Sequence, residues 1–216
     1  MSTAFIAACI LATYLVGSIP FGWLTARYLG GIDIRQHGSG NIGATNVGRV
    51  MGLKFFFLVF VLDFLKGLLP TLGMTYLISG LAPGSLTPLA AHAPILVAAA
   101  SIIGHNFPIY LKFQGGKGVA TSLGAVLALD PPSAGFALFV FVVVLGLTRW
   151  VSAASLIAAT AFLMSHFAST DEPLGRFEWG TTSLLFVLWG MMIWRHRANV
   201  VRILKGTEPK VGRRKK

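Results

Sequence analysis

Acidic residues are scarce in this sequence. Its 216 residues hold 7 aspartates and glutamates against 18 lysines and arginines, and charge of both signs makes up only 12% of the chain. Soluble domains devote about a quarter of their residues to charge, so a soluble globular fold is excluded. Cysteine is rarer still. A single Cys9 leaves no partner for an internal disulfide and no cysteine-based metal cluster, and within an apolar run it reads as a small buried hydrophobe. No internal repeat or low-complexity linker interrupts the chain, and no basic stretch precedes its first apolar run. That run, about 25 residues from Ala4 to Tyr28, exceeds a signal-peptide core and reads as a retained membrane helix.

What the chain has instead is apolar length. Hydrophobic residues make up 55% of it, with a mean hydropathy of +0.73. Crossing a bilayer takes roughly 20 apolar residues, and backbone in lipid must satisfy its own hydrogen bonds, so long apolar runs predict helices. Seven are expected: Ala4 to Tyr28, Leu53 to Ser79, Leu89 to Tyr110, Val119 to Leu129, Pro132 to Leu147, Val151 to Ala168 and Trp179 to Trp194. The fourth is short, and only Asp130-Pro131-Pro132 separates it from the fifth, consistent with a tight turn before a proline helix start. The fold expected is an all-α integral membrane protein, one membrane-embedded domain over residues 1–216 with a short basic tail.

The formal net charge of +11 does not point to nucleic acid, because the basic residues lie in short loops and a tail rather than on one face. Their distribution is topological. Alternating seven helices puts Gly30 to Gly52, Leu111 to Gly118, Thr148 to Trp150 and the C-terminal tail on one side, and these hold most of the lysines and arginines. The opposite connections carry Arg176 as their only basic residue. The positive-inside rule then predicts an outside N-terminus and a cytoplasmic C-terminus, and Arg195 to Lys216 can rest against anionic lipid headgroups.

Connections that merely joined helices would not need the donors found here. The first runs Asp33-Ile34-Arg35-Gln36-His37-Gly38-Ser39-Gly40-Asn41-Ile42-Gly43-Ala44-Thr45-Asn46-Val47-Gly48-Arg49. Glycines let successive N–H groups converge, and hydroxyl, amide and guanidinium groups add donors for phosphate oxygens. Glycine content alone also fits a turning loop; Ser39, Asn41, Thr45, Asn46 and Arg49 favour an anion cradle. Gly38-x-Gly40-x-x-Gly43 imitates a dinucleotide fingerprint, but a membrane helix precedes it where a strand is required.

The second run, His105-Asn106-Phe107-Pro108-Ile109-Tyr110-Leu111-Lys112-Phe113-Gln114-Gly115-Gly116-Lys117-Gly118-Val119-Ala120-Thr121, leads straight into a helix. Open N–H groups at a helix start, with Lys117 just before them, suit a phosphate. It is not a nucleotide P-loop, since Leu111 and Gly118 occupy positions that motif reserves for glycine and for serine or threonine. Lys112 reads as a headgroup-level side chain.

The third set comprises Arg149-Trp150-Val151-Ser152-Ala153-Ala154-Ser155 and Arg195-His196-Arg197-Ala198-Asn199. Trp150 and Trp194 fit interface anchors, and Ser155 fits a hydroxyl turned back on its own helix. His196 and Asn199, three apart, share a helix face. Asp63 and Lys66, also three apart inside an apolar run, read first as a structural ion pair and second as a substrate or proton path. His166 and Asp171 have the spacing of a motif used by acyl-CoA-dependent acyltransferases, but the topology puts them away from every glycine-rich loop, and we read the spacing as coincidence.

Together these segments resemble the bacterial acyl-phosphate:glycerol-3-phosphate acyltransferases, the PlsY type. Gly38-Ser39-Gly40-Asn41-Ile42-Gly43-Ala44-Thr45-Asn46 with Arg49 matches the first family motif and Gly115-Gly116-Lys117-Gly118-Val119-Ala120-Thr121 the second. Val151-Ser152-x-x-Ser155 and His196-x-x-Asn199 match the remaining motif regions, with Glu208 near the tail glutamate. The resemblance implies seven membrane helices, a bacterial inner-membrane location and a cytoplasmic active site without metal or organic cofactor. It implies acyl transfer from acyl phosphate to glycerol 3-phosphate. By this carry-over Gly115, Gly116, Lys117 and Gly118 bind acyl phosphate. Arg49, His196 and Asn199 help bind glycerol 3-phosphate, Ser39 and Ser152 supply hydrogen bonds near the reacting groups, and Gly38, Gly40, Asn41, Thr45 and Asn46 contribute to binding. Ser39 as a covalent nucleophile is the alternative within this chemistry; an anion or organophosphate transporter is the alternative from another class.

Overall fold

A computed structural model describes residues 1–82, 86–175 and 178–212. Every regular element among them is helical. Five helical stretches, Thr3–Gly30, Leu53–Ser79, Ala93–Leu111, Pro131–Thr148 and Val151–Ser169, are long and apolar enough to cross a membrane. The chain forms two compact units, Met1–Leu129 and Asp130–Lys216.

In the first unit the expected opening helix is broken. Helix α1 (Thr3–Ser18) ends before Pro20, whose missing N–H and fixed φ interrupt the helical ladder, and α2 (Phe21–Gly30) resumes after it. A short helix not expected from sequence, α3 (Ala44–Met51), then leads through Gly52 to the long α4 (Leu53–Ser79). The third apolar run is likewise divided, into α5 (Pro88–Ala91) and α6 (Ala93–Asn106), with a 3-10 turn at Ile109–Leu111. Helix α7 (Val119–Leu129) closes the unit.

These helices pack through small residues. A Cβ on Gly17 of α1 would meet the Ser101 backbone of α6, and one on Gly104 of α6 would meet the backbone of Tyr14 and Ser18. A Cβ on Gly67 of α4 would run into the Thr121 carbonyl of α7, and one on Gly124 into that of Phe64. Lipid offers no hydrophobic drive for helix association, so close backbone approach at such residues supplies the contact instead. It also carries Asp63 and Lys66 of α4 to the side of His105 on α6.

In the second unit α8 (Pro131–Thr148) and α9 (Val151–Ser169) pack together, and α9 also contacts α10 (Trp179–Arg195) and α11 (Arg197–Leu204). Asp130 caps α8 by accepting from the Ser133 amide at 3.1 Å. Arg149 ends α8 in the left-handed region at φ 61°. The tail turns back on that corner: the Val211 amide donates to the Arg149 carbonyl at 2.9 Å, and Arg149 Nε donates to the Val211 carbonyl at 3.0 Å. As expected, Ser155 Oγ donates to the Val151 carbonyl one turn back at 2.8 Å. The Arg197 guanidinium sits 4.6 Å from the Trp194 ring centre.

Candidate active site

The first glycine-rich run is shaped from behind by Asn46. That side chain is 2% exposed. Its Oδ1 accepts the Ser39 amide at 2.7 Å, and its Nδ2 donates to the carbonyls of Asn41 at 2.9 Å and His37 at 3.0 Å. Both ends of the amide are spent on the loop, so Asn46 builds the cradle instead of reaching into it. Asn41 acts similarly, its Oδ1 accepting the Gly43 amide at 2.8 Å in an Asx turn. Gly38, at φ 62°, is fixed twice over, by a left-handed backbone and because a Cβ would strike Asn46 Oδ1.

The groups left on the surface of this loop are those suited to a ligand. Ser39, Gly38, Gly40 and Arg49 are exposed and Thr45 is half-buried. Arg35 is already committed to Asp33, with Nε 2.9 Å from Oδ1. That guanidinium holds the Asp33 carboxyl well below the usual carboxylate range, against a smaller opposing effect of burial.

The second run is pressed onto the end of α6. The Gly116 amide donates to the His105 carbonyl at 3.1 Å. A Cβ on Gly116 would meet His105 Nε2, one on Gly115 would meet the carbonyls of His105 and Asn106, and one on Gly118, at φ 78°, would touch the Asn106 amide group. No larger residue fits these positions. Just upstream Lys112 and Phe113 both take left-handed backbone, at φ 51° and 63°, a cost of order 1 kcal/mol or more for each non-glycine residue. Lys117 stands half-buried immediately before the N-terminus of α7.

Beneath this turn lies a charged cluster that spacing revealed only in part. Lys66 Nζ is 2.8 Å from Asp63 Oδ1, and the same oxygen is 3.5 Å from His105 Nδ1. Lys66 also donates to the Ile19 carbonyl at 2.8 Å, at the break between α1 and α2. The i,i+3 pairing was legible; His105 and Ile19 join it only through packing.

In the second unit Glu208 organises the remaining motif residues. Its Oε1 accepts from Ser152 Oγ and from Asn199 Nδ2, each at 2.6 Å, and its Oε2 from Arg202 Nε at 2.7 Å. Burial pushes the Glu208 carboxyl up, but these three donors outweigh it and leave it below its ordinary value. The Trp150 indole N–H closes the cluster on the Glu208 carbonyl at 3.2 Å. His196 forms the junction between α10 and α11 and is 2% exposed. Its Nδ1 lies 2.9 Å from the Met192 carbonyl. A carbonyl only accepts, so Nδ1 carries the proton and Nε2 is the basic nitrogen of the neutral ring. Arg202 and the central place of Glu208 were missed from sequence, because their bonds depend on the tail folding back.

His166 pairs with Asp130, Nδ1 to Oδ2 at 2.8 Å, and not with Asp171. Among the described residues no three His, Cys, Asp or Glu side chains gather as a metal site.

The glycerol-3-phosphate acyltransferase family model matches residues 7–206. A glycerol-3-phosphate acyltransferase of Myxococcus xanthus is 43% identical over 202 residues, covering 93% of this chain and 97% of its own. One of Geobacillus kaustophilus is 42% identical over 95% of each chain. Among solved structures, the glycerol 3-phosphate form of PlsY (YgiH), an integral membrane glycerol 3-phosphate acyltransferase, is similar with a TM-score of 0.83 at 36% identity over 96% of each chain. Its lysophosphatidic acid form gives 0.80 at the same identity, over 96% of this chain and 95% of that one. With a family model spanning nearly its whole length and such relatives matched end to end, the chain belongs to the glycerol-3-phosphate acyltransferase family.

Proposed function

We propose that this protein transfers a fatty acyl group from acyl phosphate to the sn-1 hydroxyl of glycerol 3-phosphate, releasing 1-acyl-glycerol 3-phosphate and inorganic phosphate. The observation that carries the reading is the Gly115–Gly118 turn, folded tightly on His105 with Lys117 before a helix N-terminus, an arrangement suited to a phosphate oxygen cluster. Family membership supports the acceptor, since the related PlsY structures are a glycerol 3-phosphate form and a lysophosphatidic acid form.

The donor is a mixed anhydride and already activated, so the protein's task is to hold two phosphates, orient a hydroxyl and stabilise charge. The glycerol oxygen forms a bond to the acyl carbon as the bond from that carbon to the phosphate oxygen breaks. The hydroxyl proton passes to the departing phosphate or to His196 Nε2. Gly115, Gly116, Lys117 and Gly118 bind the acyl phosphate; Arg49, His196 and Asn199 bind glycerol 3-phosphate; Ser39 and Ser152 donate near the reacting groups. A Ser39 acyl-enzyme is disfavoured, because Asp33 is committed to Arg35 and Glu208 to Ser152, Asn199 and Arg202, leaving neither carboxylate to serve a triad.

The whole chain acts as one enzyme in the bacterial inner membrane. It has seven spans, counting the shorter Val119–Leu129 and Trp179–Arg195, with its N-terminus outside and its glycine-rich loops cytoplasmic. Cysteines placed at Gln36 and Ala82 in a Cys9→Ala background label from opposite sides of the membrane on this reading; labelling of both from outside overturns the orientation.

Purified protein given glycerol 3-phosphate with palmitoyl phosphate or palmitoyl-CoA should form lysophosphatidic acid from the former alone. Equal rates would sink the donor assignment. No product from either, with phosphate-ester uptake into sealed liposomes, would favour a transporter.

A further inference from the structure

Asp63, Lys66 and His105 are the most deeply buried ionisable groups in the first unit, with side chains 3%, 2% and 5% exposed. Charges this deep are costly to desolvate, and a buried ion pair can often be replaced by apolar residues with no loss of stability. Stability alone therefore does not account for them. Their connections suggest another role. Lys66 ties Asp63 to the Ile19 carbonyl, where the first span breaks. Asp63 faces the Nδ1 edge of the His105 ring, and the opposite edge, at Nε2, lies where a Cβ of Gly116 would be. The His105 carbonyl meanwhile holds the Gly116 amide. One residue thus fixes the turn through both its ring and its backbone, and the Asp63 carboxylate lies 3.5 Å from the ring Nδ1.

We propose that Asp63 is a positioning residue: acting through His105, it locks the Gly115–Gly118 turn in its phosphate-binding shape, with Lys66 as the counter-charge that lets a carboxylate sit there. This rests on the reading of that turn as a phosphate site. A carboxylate accepts from Nδ1–H and keeps the imidazole in one tautomer and one ring orientation. Without it the ring can flip, and because Gly116 leaves no spare space, a flipped ring displaces the turn and the amides beside Lys117. Asp63 touches no substrate on this account.

The test separates positioning from mere stability. In the Asp63→Leu/Lys66→Met double variant both buried charges disappear together, so the full-length protein is expected to melt within a few degrees of wild type. Its KM for acyl phosphate should rise at least about tenfold, with KM for glycerol 3-phosphate within about twofold. Asp63→Asn, which keeps the shape of the side chain beside the ring, should recover part of the loss. Calorimetric binding of inorganic phosphate to the detergent-purified full chain gives a readout independent of turnover, and should weaken in parallel. A folded double variant with unchanged KM values and unchanged phosphate binding overturns the proposal. Where the double variant fails to fold, His105→Gln decides: normal binding and KM in that variant overturn it equally. Wild-type protein that binds phosphate but transfers no acyl group faults the enzymatic reading and leaves the positioning role to the binding data; wild-type protein that binds no phosphate overturns the positioning role.

Discussion

The Ser152 hydroxyl and the Glu208 carboxylate meet at 2.6 Å although 56 residues separate them. The bond is a charge-assisted one, and it fastens the start of α9 to the returning tail. Asn199 and Arg202 donate to the same carboxylate, so the second unit's motif residues share one acceptor.

Replacing that acceptor should be costly. Glu208→Gln turns one oxygen into an amide that faces donors. Hydrogen bonds to charged groups are worth about 1.5–3 kcal/mol each, so the melting temperature in detergent should fall clearly. Arg202→Gln should fall less, because its side chain is partly exposed. Equal melting of Glu208→Gln and wild type would contradict the arrangement.

The same cluster predicts a direction with pH. The folded Glu208 carboxyl lies below its ordinary value despite burial, because Ser152, Asn199 and Arg202 donate to it. A carboxylate depressed in this way stabilises the fold at every pH above its unfolded value, and that stability is lost as pH falls through the folded one. Trp150, bonded to the Glu208 carbonyl, reports on the docked tail. The fluorescence difference between wild type and Trp150→Phe should stay constant from pH 7 down to the ordinary glutamate range and change only below it. A transition already complete at about pH 6 would be wrong for this carboxylate.

Lys117→Ala and Arg49→Ala should each reduce acyl transfer at least about tenfold, since one charge-assisted phosphate contact is commonly worth 1.5–3 kcal/mol. Asp171→Asn should leave turnover near wild type, as His166 takes Asp130 for its partner. The reverse pattern would place the chemistry elsewhere.

Gly124→Ala should destabilise by about 1–3 kcal/mol, the usual cost of overpacking, because its new methyl would meet the Phe64 carbonyl across the α4 and α7 contact. Gly146→Ala on α8, with nothing within 4 Å of the added carbon, serves as the control and should melt no lower than wild type, since alanine is the better helix former. Matching losses would argue against the backbone contact as their cause, since helix propensity favours alanine at both positions.

Apolar length made most of the helices legible: Leu53–Ser79 and Val119–Leu129 begin and end at the expected residues. The exceptions have local causes. Pro20 divided a run that hydropathy treats as continuous. Helix α3 hid among glycines because its apolar face is only a turn or two long, anchored by Val47 and Ala44. Site residues were recognisable by type and motif, but not by duty. Asn46 offers the same donors whether it faces a ligand or the loop's own carbonyls, and only the folded backbone shows that it faces the carbonyls. Glu208 and His105 take their importance from segments distant in sequence, and no spacing rule reaches that far.

The glycine contact between α4 and α7 has a bearing on life in a changing bilayer. Where Gly67 meets Thr121 and Gly124 meets Phe64, main chain sets the separation of the two helices, not interleaved side chains. The outward residues of α4, among them Phe57, Val61, Leu69 and Leu72, face away from the fold. Exchange of lipid species, or a shift in their fluidity, therefore acts first on side chains that take no part in the backbone contact which sets where α7 lies against α4.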